Sequence, residues 1–222
     1  MRNFIKQWKD VNELIEVLLS QHIQVYVVGG FVRSYIENVS PRDIDIIVDC
    51  DMAILDSLVI SRGYSYSKNL FGNYKLNLSL ETDMWTLANQ YHGIDRNIKL
   101  RDVLFYNYDS IIYDVNNDTI DSYYYDKCMR DHMLDFVGTQ EIMNRNLSRA
   151  VNFNTLKAYS VSYKKGLSLS KSIITYLKDK NIPISVLQKE YERHYHRKMD
   201  QNLLNYISDF INNINDIKNR NH

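Results

Sequence analysis

Cysteine is nearly absent from this chain of 222 residues, which carries only Cys50 and Cys128. Two cysteines cannot build a disulfide framework, and no Cys-x-x-Cys or Cys/His spacing reads as a zinc site, so a reducing cytosol is the default compartment. An excess of charge of one sign is lacking as well. Lysine plus arginine equals aspartate plus glutamate at 27 each, so nothing draws the whole chain to a polyanion, and any nucleic-acid contact must come from a local patch. Long apolar runs are also missing. The opening MRNFIKQWKDVNELIEVLLSQ has no uninterrupted apolar core of the signal-peptide kind, and no later stretch approaches the length that spans a bilayer. The expectation is a soluble, cytoplasmic protein without a membrane partner. Proline occurs twice, at Pro41 and Pro183, and each marks a break between elements.

What is present is an ordinary apolar fraction of 45%, enough for one large domain or a catalytic unit with a helical appendage. Tyrosine is abundant at 18 residues. Asn, Ile, Lys and Asp are abundant too, so the nucleotide bias of an AT-rich genome accounts for the tyrosines more readily than a set of base-stacking platforms. Phe4, Ile5, Trp8, Val11, Leu14, Ile15, Leu18 and Leu19 recur at three- and four-residue steps and predict a helix over about 3–20. IQVYVV (23–28), closed by Gly29-Gly30, reads as a buried strand and a tight turn. A short helix over 31–37, a break at Pro41 and a strand at 43–49 follow. Beyond these come a helix over 52–61, a turn at Gly63, an alternating strand YKLNLSLE (74–81) and further strand character in DMWTL (83–87). IIYDV (111–115) and TIDSYYYD (119–126) flank a turn at 116–118. From about Gln140 the pattern is helical, with breaks at Gly166 and near Pro183. It ends in an amphipathic segment around Leu203, Leu204, Ile207, Phe210 and Ile211.

The chemistry concentrates in residues 25–49. Asp43 and Asp45 stand two apart at the head of a strand, where a two-residue period points both carboxylates to one face. Paired carboxylates repel unless a cation lies between them, and magnesium fits, because it prefers oxygen ligands and shares them with substrate phosphates. Gly29 and Gly30 lie between a strand and a helix, where bare backbone can approach phosphates. Arg33, one turn on, is placed for a charge-assisted phosphate contact. Gly-Gly alone is a weak signal; Gly-Gly with Arg33 and then Asp-x-Asp is far more specific.

VYVVGGFVRSYIEN...PRDIDIIVD resembles the Gly-Gly-x-Val-Arg-Asp...Asp-Ile-Asp signature of class II CCA-adding enzymes and bacterial poly(A) polymerases, of the DNA polymerase beta nucleotidyltransferase superfamily. The resemblance implies an α+β fold, a nucleotidyltransferase head with a mixed twisted sheet flanked by helices (1–135), followed by a small helical neck (136–222). It puts the metal-binding aspartates at Asp43 and Asp45, holding two magnesium ions, and the triphosphate contacts at Gly29, Gly30 and Arg33. The acid that usually follows the arginine is here Ser34. A third carboxylate falls on Asp83, with Glu81 its rival on the same face. DSIIYD (109–114) is similar to the segment that closes the family's head, and Arg101 is carried over as a phosphate or ribose contact. LKAYSVSYKKGLSLS (156–170) looks like the neck. The Glu-Asp-x-x-Arg that reads the base should stand just upstream, but AVNFN (150–154) has neither acid nor arginine, and Arg145 and Arg149 nearby have a different spacing.

The implied activity is metal-dependent transfer of a nucleoside monophosphate from an NTP to a hydroxyl acceptor, such as an RNA (tRNA) 3′ end. The alternative is a nucleotide-binding regulatory or interaction module with a protein partner, of the toxin–antitoxin or phage-defence kind, favoured by short length and the missing base-reading motif. His194 and His196, with Arg193, Arg197 and Lys198, read as a solvated basic turn before a metal site. That turn, extended by Lys164 and Lys165, is also the best local candidate for an RNA-backbone patch.

Overall fold

A computed structural model describes residues 1–69, 71–147 and 150–219, the last few (214–219) and Leu147 by backbone alone. Arg149 lies outside the described residues. The chain forms two compact units, Met1–Asp126 and Lys127–His222.

The first unit opens with α1 (Arg2–Ile5) and α2 (Lys9–Ser20). These are two helices where the periodicity predicts one. Trp8 takes an extended backbone, φ −110° and ψ 93°. From there its ring meets those of Phe4 and Phe31 at 5.2 and 5.4 Å, so an aromatic cluster sets the break. Then follow β1 (Gln24–Val28), α3 (Gly30–Ile36), β2 (Asp43–Asp49), α4 (Met52–Ser61), β3 (Tyr66–Lys68), β4 (Tyr74–Asn77), β5 (Glu81–Thr86), α5 (Leu87–Gln90), β6 (Ile112–Asp114), β7 (Thr119–Asp121) and α6 (Tyr123–Asp131). The seven strands form one mixed sheet in the order β3-β4-β5-β2-β1-β6-β7, in which β2 and β5 run parallel and the other neighbours antiparallel.

YKLNLSLE is not a single strand. The chain turns between Asn77 and Glu81, which face each other in the β4–β5 ladder. The turn is held from outside: the backbone N–H of Ser79 donates to Asp10 Oδ2 at 2.7 Å, and the Ser79 hydroxyl bonds the same carboxylate. β3 falls where the sequence predicts no element, and α6 begins within TIDSYYYD, whose pattern predicts a hairpin or a short strand plus a loop.

Strand alternation divides the sheet into two faces. Val25, Val27, Ile44, Ile46, Val48, Leu76 and Met84 are fully buried on one, and α2 and α3 pack against the sheet. On the other face, Val28, Ile47 and Ile112 make a small apolar cluster with Tyr26, Trp85, Leu87, Leu100 and Leu104 around it. That cluster stops where Asp45, the register partner of Val28, begins.

The second unit contains β8 (Met133–Leu134), α7 (Gln140–Leu147), α8 (Val151–Lys165), β9 (Ser168–Leu169), α9 (Lys171–Lys180), α10 (Ile184–Tyr195) and α11 (Gln201–Asn219). α8 packs on α10 and α11, burying Leu156, Tyr159, Leu187, Tyr191, Leu203 and Ile207. Gly166 ends α8 with φ +65°, and Ser170 caps α9 by accepting the N–H of Ile173 at 3.3 Å. Among the described residues no helix is long and apolar enough to cross a membrane.

Candidate functional site: a carboxylate row beside a glycine turn

β1 runs into Gly29, whose φ of +66° and ψ of −126° are strained for any residue with a Cβ. Its N–H donates to the Ile111 carbonyl at 2.9 Å, so that donor serves the fold and is not offered to a ligand. A Cβ on Gly29 would stand 3.8 Å from Asp45 Oδ2, and one on Gly30 3.9 Å from Asp43 Oδ1. The bare turn therefore lies directly against both carboxylates.

The sheet register places the third candidate. In the parallel pair Asp45 faces Asp83 and Asp43 faces Glu81, and partners in a ladder point to the same side. Glu81 is about half exposed and is held by Lys75, whose Nζ lies 2.5 Å from Glu81 Oε1. Asp83 is more enclosed. Burial first, then the charges of Glu81 and Asp43, raise its carboxyl above the usual carboxylate range, while Lys75 and Arg42 oppose the rise. Arg42 donates from Nε to Asp43 Oδ2 at 2.9 Å. Lys75 and Arg42 had no signal in sequence pattern: Lys75 reaches the row only because β4 sets it opposite Asp83.

An all-oxygen donor set of like charge, beside a turn without side chains, fits a magnesium ion, which takes one or two carboxylates and leaves its other positions to phosphate and water. Among the described residues no three His, Cys, Asp or Glu side chains already converge into a metal cage.

Arg33 is turned inward. Its Nη1 lies 2.8 Å from Asp109 Oδ1, and its guanidinium carbon stands 4.3 Å from the centre of the Tyr108 ring. Burial works against its charge, but Asp109, followed by Tyr108 and Glu37, holds its pKa above the ordinary arginine value. Glu37 accepts from the hydroxyls of Tyr108 and Tyr125 at 3.2 and 3.1 Å. With Ser34 in place of the family's acid, the carboxylates beside Arg33 come from Asp109 and Glu37.

Arg101 is not brought to the carboxylates. Its Nη1 donates to both carboxylate oxygens of Asp121, at 3.1 and 3.0 Å, and its guanidinium carbon lies 4.6 Å from the Tyr123 ring centre. Asp121 is opposite Ile112, which is opposite Val28, which is opposite Asp45. Three strand spacings, roughly 14 Å, thus separate the Arg101 anchor from Asp45 along one row.

In the second unit the stretch 150–154 carries neither the acid nor the arginine of the Glu-Asp-x-x-Arg pattern. Phe153 packs on His194 with ring centres 4.3 Å apart, and Arg145 bonds the neighbouring Asn146 side chain at 3.0 Å. His196 ends α10 in a left-handed conformation. Lys164 stands 5.3 Å from the Tyr195 ring centre, which brings the last turns of α8 and α10 together, and Arg193 bonds Glu190 at 2.5 Å.

No family model matches the sequence, and no curated protein does. Solved structures do match. A CCA-adding enzyme in complex with ATP superposes with a TM-score of 0.63 at 15% identity, over 89% of this chain and 49% of its own. The Thermotoga maritima CCA-adding enzyme complexed with tRNA gives 0.63 at 14%, over 91% and 51%. A tRNA nucleotidyltransferase complexed with a primer tRNA and an incoming ATP analogue gives 0.63 at 15%, over 92% and 61%. The chain thus spans between about half and three-fifths of the length of these structures. At such identities the likeness speaks for fold, and in fold this chain carries a head domain of the class II CCA-adding enzyme type.

Proposed function

We propose that the protein is a metal-dependent nucleotidyltransferase that moves a nucleoside monophosphate from an NTP to a hydroxyl acceptor, with an RNA 3′ end as the acceptor class. The observation that carries this reading is the placement of Asp43 and Asp45 on one sheet face, against the Gly29–Gly30 turn, with Asp83 in register beside them. Magnesium bound by Asp43 and Asp45 would offset triphosphate charge, lower the pKa of the attacking hydroxyl and stabilise the leaving pyrophosphate.

The chain's own groups do the rest. The glycine turn lets the triphosphate approach the carboxylates without steric conflict. Asp83 is the acceptor-side carboxylate and orients the hydroxyl. Arg33 supports the turn from beneath: its Nη2 lies 3.7 Å from where a Gly30 Cβ would be, and its bond to Asp109 fixes the segment after β1. Arg101 holds the distant end of the same face through Asp121. Solved structures of this fold titled as complexes with ATP, CTP and tRNA support an NTP and an RNA as the molecules to test.

The test is incubation with each labelled NTP, magnesium and total cellular RNA. Labelled RNA that disappears in Asp43→Ala and Asp45→Ala, with both variants folded, supports the reading. Undiminished transfer by both variants sinks it. Nucleotide binding without transfer to RNA would favour the regulatory module instead.

A further inference from the structure

Neither the Gly-Gly nor the Asp-x-Asp pattern announces Lys75. It sits on β4 opposite Asp83 and bonds Glu81. Its ammonium is favoured by the Glu81 bond first and, beyond the opposing effect of burial, by the charges of Asp83, Glu81 and Asp43. Lys75 and Glu81 also wall a cleft of about 370 Å³ with Tyr66 and Asn77, on the β3–β4 side of the row. The cation therefore stands at the β3–β4 edge of the carboxylate row, between Asp83 and this cleft.

Electrostatics make this position consequential. Asp83, Glu81 and Asp43 bring negative charge to the row, and Lys75 and Arg42 bring positive charge to it. A second ion at Asp83 would have to lie beside an ammonium that faces Asp83 across the β4–β5 ladder, and like charges repel most strongly where water is excluded.

We propose that Lys75 is a resident cation standing in for the acceptor-side metal, so that the chain binds one divalent ion, at Asp43 and Asp45, where an unobstructed row would bind two. This rests on the nucleotidyltransferase reading and refines its ion count. It makes Lys75 a positioning residue: it bonds Glu81, faces Asp83 across the ladder and contributes there the positive charge that a second ion would bring.

The experiment counts Mn²⁺ bound per chain, by electron paramagnetic resonance titration in the presence of a non-hydrolysable ATP analogue. The full chain should bind one ion, Lys75→Met two, and Lys75→Arg, which keeps the charge, one. Lys75 is about half exposed, so an aliphatic side chain of similar length fits its place. Lys75→Gln is the second neutral variant should Lys75→Met lose its circular dichroism spectrum. Two ions in the unmodified chain, or one in both neutral variants, overturns the role of Lys75. Two ions together with active transfer to RNA would leave the nucleotidyltransferase reading standing, whereas no bound ion with or without nucleotide would overturn both.

Discussion

The glycine turn with its carboxylates and the stretch 150–154 are the two regions that a template-independent polymerase of this fold would need, and they differ in kind. The first presents acids and bare backbone, groups that act on triphosphate and metal, features common to every NTP. The second presents Ala150, Val151 and Phe153, with the Phe153 ring packed on His194, and offers no side-chain acid or arginine to a base edge. Under the proposed transferase reading, chemistry and selectivity separate: the corner carries acids and bare backbone, and 150–154 carries neither the acid nor the arginine of the Glu-Asp-x-x-Arg pattern.

Several measurements would break or sharpen that contrast. The largest effect belongs to Asp43→Ala or Asp45→Ala. Losing metal-based stabilisation worth several kcal/mol should lower kcat/KM for NTP consumption by about a thousandfold, with an unchanged melting temperature as the control. Next comes Arg33→Ala, which takes the guanidinium from Asp109 in a largely buried pair and should cost about 3 kcal/mol of stability in urea unfolding. Arg33→Lys should recover little of it, since an ammonium cannot both bond Asp109 and stack on Tyr108. Gly29→Ala should cost roughly 1–3 kcal/mol through its backbone conformation. At 3.8 Å from Asp45 Oδ2 the added methyl makes ordinary contact, so Mn²⁺ affinity should change less than stability.

On the other side of the contrast, kcat/KM for the four NTPs should agree within about tenfold, because large discrimination requires buried hydrogen-bonding groups matched to one base. A preference of a thousandfold would show that another element reads the base. The smallest effect is electrostatic. Burial raises Asp83 above its unfolded value of 3.8, so this group's contribution favours the fold below that value and is lost as pH rises through the elevated one. Asp83→Asn should therefore gain in melting temperature relative to the unmodified metal-free chain as pH climbs across that window, then hold level. Calorimetry at a series of pH values checks the sign.

The corner was legible in sequence because its parts are local: Gly29, Gly30, Arg33, Asp43 and Asp45 lie within 17 consecutive residues, and strand period alone puts the two aspartates together. Asp83 could be nominated, but its adjacency depends on register, which the parallel β2–β5 pairing supplies. The turn at Ser79 was hidden because Asp10, on α2, holds it, and apolar alternation continues through it unbroken. The break before α2 depends on Phe31, a residue from another helix. α6 is hidden in local pattern because a run of three tyrosines has strand character until Asp126, Lys127 and Arg130 are placed on a helix. The partners of Arg33 and Arg101, Asp109 and Asp121, lie far along the chain, and nothing in local pattern couples them.

The pairing of β2 with β5 also has a consequence for the order in which the molecule acquires its parts. β1 and β2 are antiparallel neighbours joined through a short helix and can associate early, whereas Asp83 reaches Asp45 only after α4 and the β3–β4 turn have been laid down and the loop between them closed. The expected order in refolding is therefore a two-acid corner first and a complete carboxylate row last. Stopped-flow Mn²⁺ binding compared with the recovery of Trp85 fluorescence reads this out directly: an ion captured well before Trp85 is buried would mark the pair alone as sufficient, and the later strand as the part that receives the acceptor.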